Sequence, residues 1–318
     1  MNKNFKKLLP GVRENVSLKN HNTFKIGGKA RYFFVATKKE ELIKSVNLAK
    51  NFKLPLFILG NGSNLLISDK GFKGLIIKAQ MIKTKCQNNT IYAEAGVTLG
   101  QLVIVASENN LTGLEWAAGI PGTLGGAIYG NAGAFGKSMA DITKTVTVLE
   151  IPNPNFPGRK TASPEGCFPN KSKIKIFKYS DCKFGYRDSI FKKKKNLVIL
   201  SAKIELKRSD KKEIRDKIKQ KMRTYLNHRI ETQPLNFPSI GSIFKNPKGF
   251  FAAELIEKCG LKGKKIGDVK ISEKHANFII NLGKGKARDV VKLINIIKKK
   301  VKEKFWVNLE EEIIYLGF

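Results

Sequence analysis

The sequence lacks several features that define whole classes of protein. Its 318 residues contain no apolar run of about 18 residues, which argues against a transmembrane helix. The N-terminal segment has no long apolar core followed by a small-residue cleavage site, so we expect no signal peptide and a cytoplasmic location. The four cysteines form no C-x-x-C pair and the three histidines show no metal-ligand spacing. We therefore expect free thiols and no metal site.

Arginine is also scarce. The chain carries 60 Lys+Arg against 26 Asp+Glu, a formal net charge of +34, but only nine of these cations are arginine. A nucleic-acid-binding protein would need clustered arginine with interleaved aromatic residues, because bidentate contacts favour the guanidinium group. Dispersed lysine therefore argues against nucleic acid as a partner. No cation lies between Lys85 and Lys137, where glycine is most frequent.

Strand and helix patterns alternate through the first two thirds of the chain. Two candidate capping boxes, Thr37 with Glu40 and Thr98 with Gln101, each precede a helical spacing of apolar residues. The segment 151–173 is rich in Pro, Asn, Ser and Gly, which predicts a surface loop or insertion. Apolar segments predict strands at 31–37, 55–60, 64–67, 74–78, 91–96, 145–151 and 197–206.

A separate C-terminal region follows an amphipathic helix predicted over 211–229. Two prolines in 231–242 then interrupt the periodicity. The region's predicted elements are a helix over Ala252–Lys258 ended by Gly260, a strand over 277–282, a helix with Val290, Ile294, Ile297 and Val301 aligned, and a final strand. We place the domain boundaries at 1–80, 81–210 and 211–318.

Two glycine-rich motifs are candidates for holding phosphate groups. The first is GNGSN (60–64), and the second is the cation-free segment 113–136, in which eight positions are glycine. Neither matches a Walker loop or a Rossmann fingerprint, but backbone N–H groups in such segments can bind a diphosphate. The alternatives are a tight hairpin turn for the first motif and close packing of small residues for the second.

Three further motifs contain polar residues suited to catalysis. Arg187 in FGYRDSIF (184–191) is a cation that lysine has not replaced, although an ion pair with Asp188 would also explain it. Ser242 in GSIFKNP has no histidine beside it, so a Ser-His-Asp hydrolase is not supported, and a turn or capping role is the alternative. The acids of LEEEI (309–313) form either a solvated surface or a strand with one acid turned inward.

Taken together, these motifs resemble the UDP-N-acetylenolpyruvoylglucosamine reductase family in its shorter subtype. The resemblance runs in order from about residue 18 to residue 316. The segments that carry it are NTFKIGGKARYF (22–33), LGNGSNLL (59–66), GLEWAAGIPGTLGGAIYGNAGAFG (113–136), FGYRDSIFK (184–192), QPLNFPSIGSIFKNP (233–247), HANFIIN (275–281) and LEEEI (309–313).

The resemblance implies an α+β protein. Residues 1–80 and 81–210 would be two α/β subdomains of a vanillyl-alcohol-oxidase (PCMH) type FAD-binding fold. Residues 211–318 would form an α+β substrate-binding domain whose last strand returns toward the active site. FAD would be bound noncovalently, with NADPH as co-substrate. The reaction would reduce the enolpyruvyl group of UDP-N-acetylglucosamine enolpyruvate to UDP-N-acetylmuramate for peptidoglycan, in a monomer that neither enters a membrane nor binds nucleic acid.

The family's functional residues transfer onto matching motif positions. Arg187 would bind and polarise the substrate carboxylate, Ser242 would donate the proton, and Glu312 would lie beside the enol intermediate, with Glu310 as the other acidic candidate. Tyr186, Lys245 and Asn246 would bind substrate. The implied FAD-binding residues are Gly60, Asn61, Gly62, Ser63, Asn64, Gly119, Ile120, Pro121, Gly122, Gly125, Gly126, Asn131, Ala132 and Gly133.

One alternative keeps the fold and changes the reaction. An FAD oxidase of the same superfamily would act on an alcohol or a sugar, and its flavin is often tethered through histidine. No histidine lies within 60–64 or 113–136, which argues against a tethered flavin.

Overall fold

The chain forms two compact units, each assembled from segments that are distant in sequence. The computed structural model describes residues 2–152, 172–208 and 212–318. The first unit comprises residues 1–12, 34–60 and 77–222, and the second comprises residues 13–33, 61–76 and 223–318. The division into three domains inferred from the sequence stays a prediction.

Eight α-helices occur in the described residues, and their ends follow from local sequence. Thr98 caps α3, because its hydroxyl accepts the Gln101 N–H while the Gln101 side chain accepts the Thr98 N–H. Asp69 lies far away in sequence, yet its carboxylate accepts the N–H groups of Ala287 and Arg288 at the start of α8. The helices are α1 (Asn2–Leu8), α2 (Lys39–Asn51), α3 (Leu99–Glu108), α4 (Leu124–Gly130), α5 (Ile190–Lys193), α6 (Lys212–Thr232), α7 (Ala252–Lys258) and α8 (Ala287–Phe305).

The strands include several of only two or three residues. In chain order they are β1 (Arg13–Ser17), β2 (Lys29–Ala36), β3 (Leu56–Leu59), β4 (Leu65–Ile67), β5 (Phe72–Ala79), β6 (Thr84–Gln87), β7 (Thr90–Glu94), β8 (Leu111–Thr112), β9 (Gly133–Ala134), β10 (Lys137–Ser138), β11 (Thr143–Glu150), β12 (Lys173–Lys178), β13 (Leu197–Glu205), β14 (Lys207–Arg208), β15 (Ser239–Ser242), β16 (Lys265–Ile266), β17 (Val269–Ile271), β18 (Phe278–Asn281) and β19 (Ile314–Leu316). A four-stranded sheet has the order β1-β2-β5-β3, and its central strands β2 and β5 each continue from one unit into the other.

The first unit is built on an antiparallel sheet of order β12-β11-β13-β7-β6. Ala202 of β13 lies opposite both Val146 of β11 and Ala93 of β7, and all three side chains are buried. The long apolar strand β13 therefore forms the centre of this sheet. A central strand buried on both faces explains why LVILSA reads as a continuous apolar run without alternation.

The second unit has a four-stranded antiparallel sheet of order β15-β18-β17-β16 and a parallel pair, β4 with β19. Helix α8 turns one apolar stripe toward the core of this unit, which also contains Ile243, Phe244 and Ile279. The polar lysine-rich side of α8 stays outside, as its periodicity predicts.

Most elements predicted from the sequence are confirmed, and one capping box is wrong by one residue. The carboxylate that accepts the N–H groups of Thr37 and Lys38 belongs to Glu41, not to Glu40. Of the predicted loop 151–173, residues 153–171 lie outside the described residues. Among those that are described, no helix is both long and apolar enough to span a membrane.

Candidate active site

The first glycine motif is not a hairpin. Strand β3 precedes it and β4 follows it, but β3 belongs to the sheet with β5 whereas β4 pairs with β19. Gly60 lies in the first unit against Thr123, so closely that an added Cβ would be 2.5 Å from the Thr123 hydroxyl. The two glycine-rich motifs therefore meet, and a side chain at residue 60 would separate them.

The remainder of this motif, 61–64, belongs to the second unit. Gly62 has φ +66°, and a Cβ there would lie 2.7 Å from the Cβ of Asn22. Asn22 is itself buried, and its amide donates to the carbonyl oxygens of Leu18 and Ile26. The NTFKIGG segment thus forms the support on which the GNGSN turn rests.

Glycine occupies the positions of the second motif for different physical reasons. Gly125 and Gly133 are required by packing, because a Cβ would lie 2.9 Å from the Ala95 Cβ and 2.4 Å from the Lys137 carbonyl oxygen, respectively. Gly119 has φ +78°, a left-handed conformation that favours glycine. Gly130 faces open space. The close-packing alternative is thus correct for Gly125 and Gly133, whereas an added side-chain carbon at Gly130 would meet no neighbouring atom.

Arg187 occupies a tight turn. Gly185 and Asp188 exchange both backbone hydrogen bonds, at 2.9 and 3.2 Å, and enclose Tyr186 and Arg187 between them. Arg187 has φ +54°, which is uncommon for a residue with a side chain. Its Nη2 donates to the carbonyl oxygen of Gly133 at 2.7 Å. Strained backbone conformations of this kind are common at functional sites. Together with the fixed guanidinium group, the conformation suits a functional role for Arg187.

Asn131 joins the glycine segment to this turn. It follows α4 with φ +43° and is 6% exposed. Its Nδ2 donates to the Gly185 carbonyl oxygen at 2.8 Å, and its Oδ1 accepts the Ala140 N–H at 2.9 Å. These contacts make the Asn131 side chain a structural link to the Arg187 turn, and the role in FAD binding implied by the family resemblance stays a prediction.

The charges around Arg187 are arranged locally. Asp188 pairs with Lys193 at 2.8 Å, while Lys192 Nζ donates to the Arg187 carbonyl oxygen at 2.6 Å. Burial works against ionisation of Asp188, but hydrogen bonds from Lys193 and the Ser189 N–H outweigh it and lower the pKa of this carboxyl. Asp188 thus has a lysine partner of its own.

Ser242 ends β15 in the second unit and is half-buried. It lies opposite Phe278 of β18, and the register between Ser239 and Ser242 contains a bulge. Gly241 within this bulge has φ +78°. No helix begins at Ser242, which excludes the helix-capping alternative. A bulge is a common way to redirect a side chain at the end of a strand.

The three acids of LEEEI have different environments. Glu310 is exposed and pairs with Lys245 at 2.5 Å, and Glu311 pairs with Lys298 at 3.0 Å. Glu312 is partly buried, and its backbone N–H donates to the carbonyl oxygen of Ile243, the residue after Ser242, at 2.8 Å. The solvated-surface interpretation thus fits Glu310, whereas Glu312 lies beside the serine strand.

The C-terminal strand also adjoins the first glycine motif. Strand β19 runs parallel to β4, the Ile314 N–H donates to the Asn64 carbonyl oxygen at 3.0 Å, and Asn64 Nδ2 donates to the Glu312 carbonyl oxygen at 3.2 Å. The second unit thereby brings Ser242, Glu312 and Asn64 together. Burial and the Glu311 carboxylate raise the pKa of Tyr315 on β19 to about 12, which keeps this phenol neutral.

The residues predicted to bind substrate take part in protein contacts as well. Tyr186 is exposed on the Arg187 turn, with the guanidinium carbon of Arg187 5.4 Å from its ring centroid. Lys245 pairs with Glu310, and Asn246 Oδ1 accepts the Ala252 N–H at the start of α7. Their roles toward a substrate stay predictions.

The glycine motifs fit an FAD diphosphate on structural grounds. Gly60 and Thr123 bring the two loops into contact. The segment 119–126 contains no charged side chain. The N–H groups of Ile120, Leu124 and Gly125 donate to protein carbonyl oxygens, so a diphosphate would be held by other backbone amides of the segment, such as those of Gly119 and Gly122. Gly119, Ile120, Pro121 and Gly122 lie just before α4, while Gly126 belongs to its first turn.

Comparisons with known proteins agree with this fit. An FAD binding domain matches residues 30–155, and the C-terminal domain of UDP-N-acetylenolpyruvoylglucosamine reductase matches residues 233–316. The reductase of Caldanaerobacter subterraneus subsp. tengcongensis is 43% identical over 304 residues, 95% of this chain and 93% of that protein. The chain belongs to the UDP-N-acetylenolpyruvoylglucosamine reductase family.

Two further family members extend the comparison. The reductase of Caldicellulosiruptor bescii is 44% identical over 302 residues, 94% of this chain and 89% of that protein. The crystal structure of the reductase from Thermus caldophilus is 31% identical, with a TM-score of 0.76 over 96% of this chain and 100% of that one. The predicted fold class is confirmed, and the chain is an FAD-dependent oxidoreductase.

Some site-building residues escaped the sequence analysis. Asn277 and Asn281 of HANFIIN are buried, at 3% and 1% exposure, within an apolar strand segment. Buried amides must be hydrogen-bonded, so two asparagines in such a segment were a signal that these side chains support another part of the chain. Their partners could not be found without the tertiary structure.

Proposed function

We propose that this reductase converts UDP-N-acetylglucosamine enolpyruvate to UDP-N-acetylmuramate in peptidoglycan synthesis, with NADPH as the reductant. The observation that carries the proposal is the pairing that brings Glu312 beside Ile243, directly after Ser242. Because this hydrogen bond holds the Glu312 backbone against the residue after Ser242, it supports joint action of a serine proton donor and a glutamate carboxylate. Cytoplasmic location and a monomeric state stay predictions.

The FAD that the glycine motifs would hold would supply the redox chemistry that links NADPH oxidation to hydride addition at C3 of the enolpyruvyl group. The protein's own residues would manage the charge and the proton that this transfer requires. Arg187, fixed by its bond to Gly133, would bind the substrate carboxylate, on which negative charge develops as an enediolate. A preoriented guanidinium is effective there because it does not need to reorganise during the reaction.

Ser242 would then donate its hydroxyl proton to C2. A serine hydroxyl is a weak acid, so it needs a strongly basic acceptor, and the enolate carbon is one. Glu312 is assigned as the carboxylate beside the intermediate in preference to Glu310, because Glu310 is exposed and paired with Lys245.

The uncharged glycine motifs would hold the cofactor's diphosphate through backbone amides. The residues assigned to the FAD site are Gly60, Asn61, Gly62, Ser63, Asn64, Gly119, Ile120, Pro121, Gly122, Gly125, Gly126, Asn131, Ala132 and Gly133, of which Pro121 has no N–H and would only line the site. Noncovalent binding is testable, because denaturation should release flavin with its absorption bands near about 370 and 450 nm.

Separate measurement of the two half-reactions tests the proposed chemistry. In Ser242→Ala, NADPH should reduce the flavin at the normal rate, while reoxidation by the enolpyruvyl substrate should slow by about 10²–10⁴-fold. Ser239→Ala, at the other end of β15, is the matched control and should leave both steps unchanged. Normal turnover by Ser242→Ala would remove Ser242 from this role.

A further inference from the structure

The backbone that follows Ser242 is held by a side chain as well as by neighbouring strands. Asn277 Oδ1 accepts the Phe244 N–H at 2.9 Å, and Asn277 Nδ2 donates to the Phe244 carbonyl oxygen at 2.8 Å. The Asn277 carbonyl oxygen accepts the Ile243 N–H at 2.9 Å. One residue thus makes three hydrogen bonds to the two residues after the serine.

These bonds compensate for the bulge in β15. Ser239 lies opposite Ile280 and Ser242 opposite Phe278, so three steps along β15 correspond to two along β18. The bulge interrupts the regular ladder, and β15 ends at Ser242, so the two residues beyond the serine are held by other hydrogen bonds. The Asn277 carboxamide presents an N–H donor beside a carbonyl acceptor, and it uses both on Phe244 as the backbone of a neighbouring strand would.

The other side of the same segment is fixed by the acidic C-terminal motif. Ile243 accepts the Glu312 N–H at 2.8 Å, and Lys245 donates its N–H to the Glu310 carbonyl oxygen at 2.9 Å. Residues 243–245 are therefore clamped between Asn277 and residues 310–312. The distance between Ser242 and Glu312 depends on both sides of this clamp.

We propose that Asn277 is a positioning residue that sets the orientation of Ser242 for proton donation, an inference that rests on the proposed function. Its side chain is 3% exposed and is directed to the protein backbone. It acts through Ser242, because its three bonds end on the residues next to the hydroxyl. Displacement of a catalytic group by about 1 Å can cost about 10²-fold in rate.

The same motif provides a matched control. Asn281 is also buried, but its amide donates to the Phe24 carbonyl oxygen, and its Oδ1 accepts the N–H groups of Gly283 and Gly285. Replacement of either asparagine by alanine removes a buried, hydrogen-bonded amide of the same size. Asn277→Ala removes the two side-chain hydrogen bonds to Phe244, whereas Asn281→Ala removes bonds to other segments.

The experiment measures both half-reactions of the holoenzyme by stopped-flow absorbance. In Asn277→Ala, reduction by NADPH should be unchanged, while reoxidation by the enolpyruvyl substrate should slow by about 10–100-fold. The solvent deuterium isotope effect on reoxidation should rise, because proton donation becomes the slow step. Asn281→Ala should leave reoxidation and its isotope effect unchanged. Equal slowing in both variants would overturn the inference.

A double-mutant cycle with Ser242→Ala separates positioning from general structural damage. If Asn277 acts through Ser242, Asn277→Ala should slow reoxidation no further once the hydroxyl is absent. Multiplicative losses would overturn the inference while the proposed function stood. Normal reoxidation by Ser242→Ala alone would overturn both. If Asn277→Ala does not yield folded flavoprotein, Asn277→Ser, which is uncharged and smaller, replaces it in the same cycle.

Discussion

The two units support their functional residues in different ways. In the first unit, Arg187 lies on a turn held by two hydrogen bonds to backbone carbonyls, from Arg187 to Gly133 and from Asn131 to Gly185, each across 54 residues. In the second unit, Ser242 ends β15 and Glu312 precedes β19, and the backbone hydrogen bond from Glu312 to Ile243 and the bridge between Phe244 and Glu311 hold the two segments together. The link between Asn64 and Glu312 spans 248 residues.

The two kinds of support suit two different requirements of the proposed reaction. A cation must be oriented toward a carboxylate, and a turn pinned at its tip and at its base can do this. A proton donor and a carboxylate must be kept near each other, and the backbone hydrogen bonds between residues 243–245 and 310–312 do this because each bond fixes both partners. Since the two sets of residues belong to different units, each can be perturbed within its own unit.

Within the first unit, the largest expected effect is that of Arg187→Lys. Lysine is a point charge that cannot make the bidentate contacts of a guanidinium or keep the same bond to Gly133. Reoxidation by substrate should slow by about 10²–10³-fold, with reduction by NADPH unchanged, in stopped-flow measurements. Lys195→Ala, which removes an exposed cation near the same motif, should have little effect. Unimpaired reoxidation in Arg187→Lys would contradict the assignment.

The second unit should be sensitive to one acid and tolerant of its neighbour. Glu312→Gln should slow reoxidation by about 10²-fold, because the charge beside the intermediate is lost. Glu310→Gln should change it little, since Glu310 is exposed and its pairing with Lys245 is a surface ion pair. If Glu310→Gln instead slowed reoxidation more than Glu312→Gln in stopped-flow assays, Glu310 would be the carboxylate beside the intermediate.

Loss of the Asn131 side chain, which links the glycine segment to the Arg187 turn, should lower the free energy of unfolding. Asn131→Ala removes the two hydrogen bonds of a buried side chain, so urea denaturation should show a loss of about 2–4 kcal/mol in the free energy of unfolding. Asn131→Gly removes the same bonds but tolerates φ +43°, so it should be about 1 kcal/mol less destabilising. Equal losses would show that backbone conformation does not contribute at this position.

The smallest expected effect concerns the pH dependence of the second unit. Burial lowers the pKa of His275 from its usual value of 6.5, so the folded protein binds this proton less readily than the unfolded chain does. The neutral histidine's contribution is therefore present above about pH 6.5 and is lost as the pH falls from there toward the lower folded pKa. His275→Gln should reduce the fall in Tm between about pH 6.5 and 5. An unchanged slope would exclude this histidine as the cause.

The sequence predicted helices and their ends well where the stabilising hydrogen bonds join residues close together in the chain. The Thr98 capping box and the Ala252–Lys258 helix form as expected, because their hydrogen bonds join residues within one turn. Around Thr37, Glu41 takes the place of Glu40 because the helix begins one residue later than the pattern suggested. Adjacent acids cannot be distinguished from spacing alone.

The sequence by itself determined the family, the fold class, the cofactor and the motifs that carry Arg187, Ser242 and Glu312, because these depend on residue types in a fixed order. Only the tertiary structure decided which acid of LEEEI adjoins Ser242, that Asn131 supports the arginine turn, and that Asn277 binds the backbone after the serine. Each of these results depends on hydrogen bonds between residues at least 30 positions apart or on strand register. Such pairings are set by how segments pack, and no local pattern encodes them.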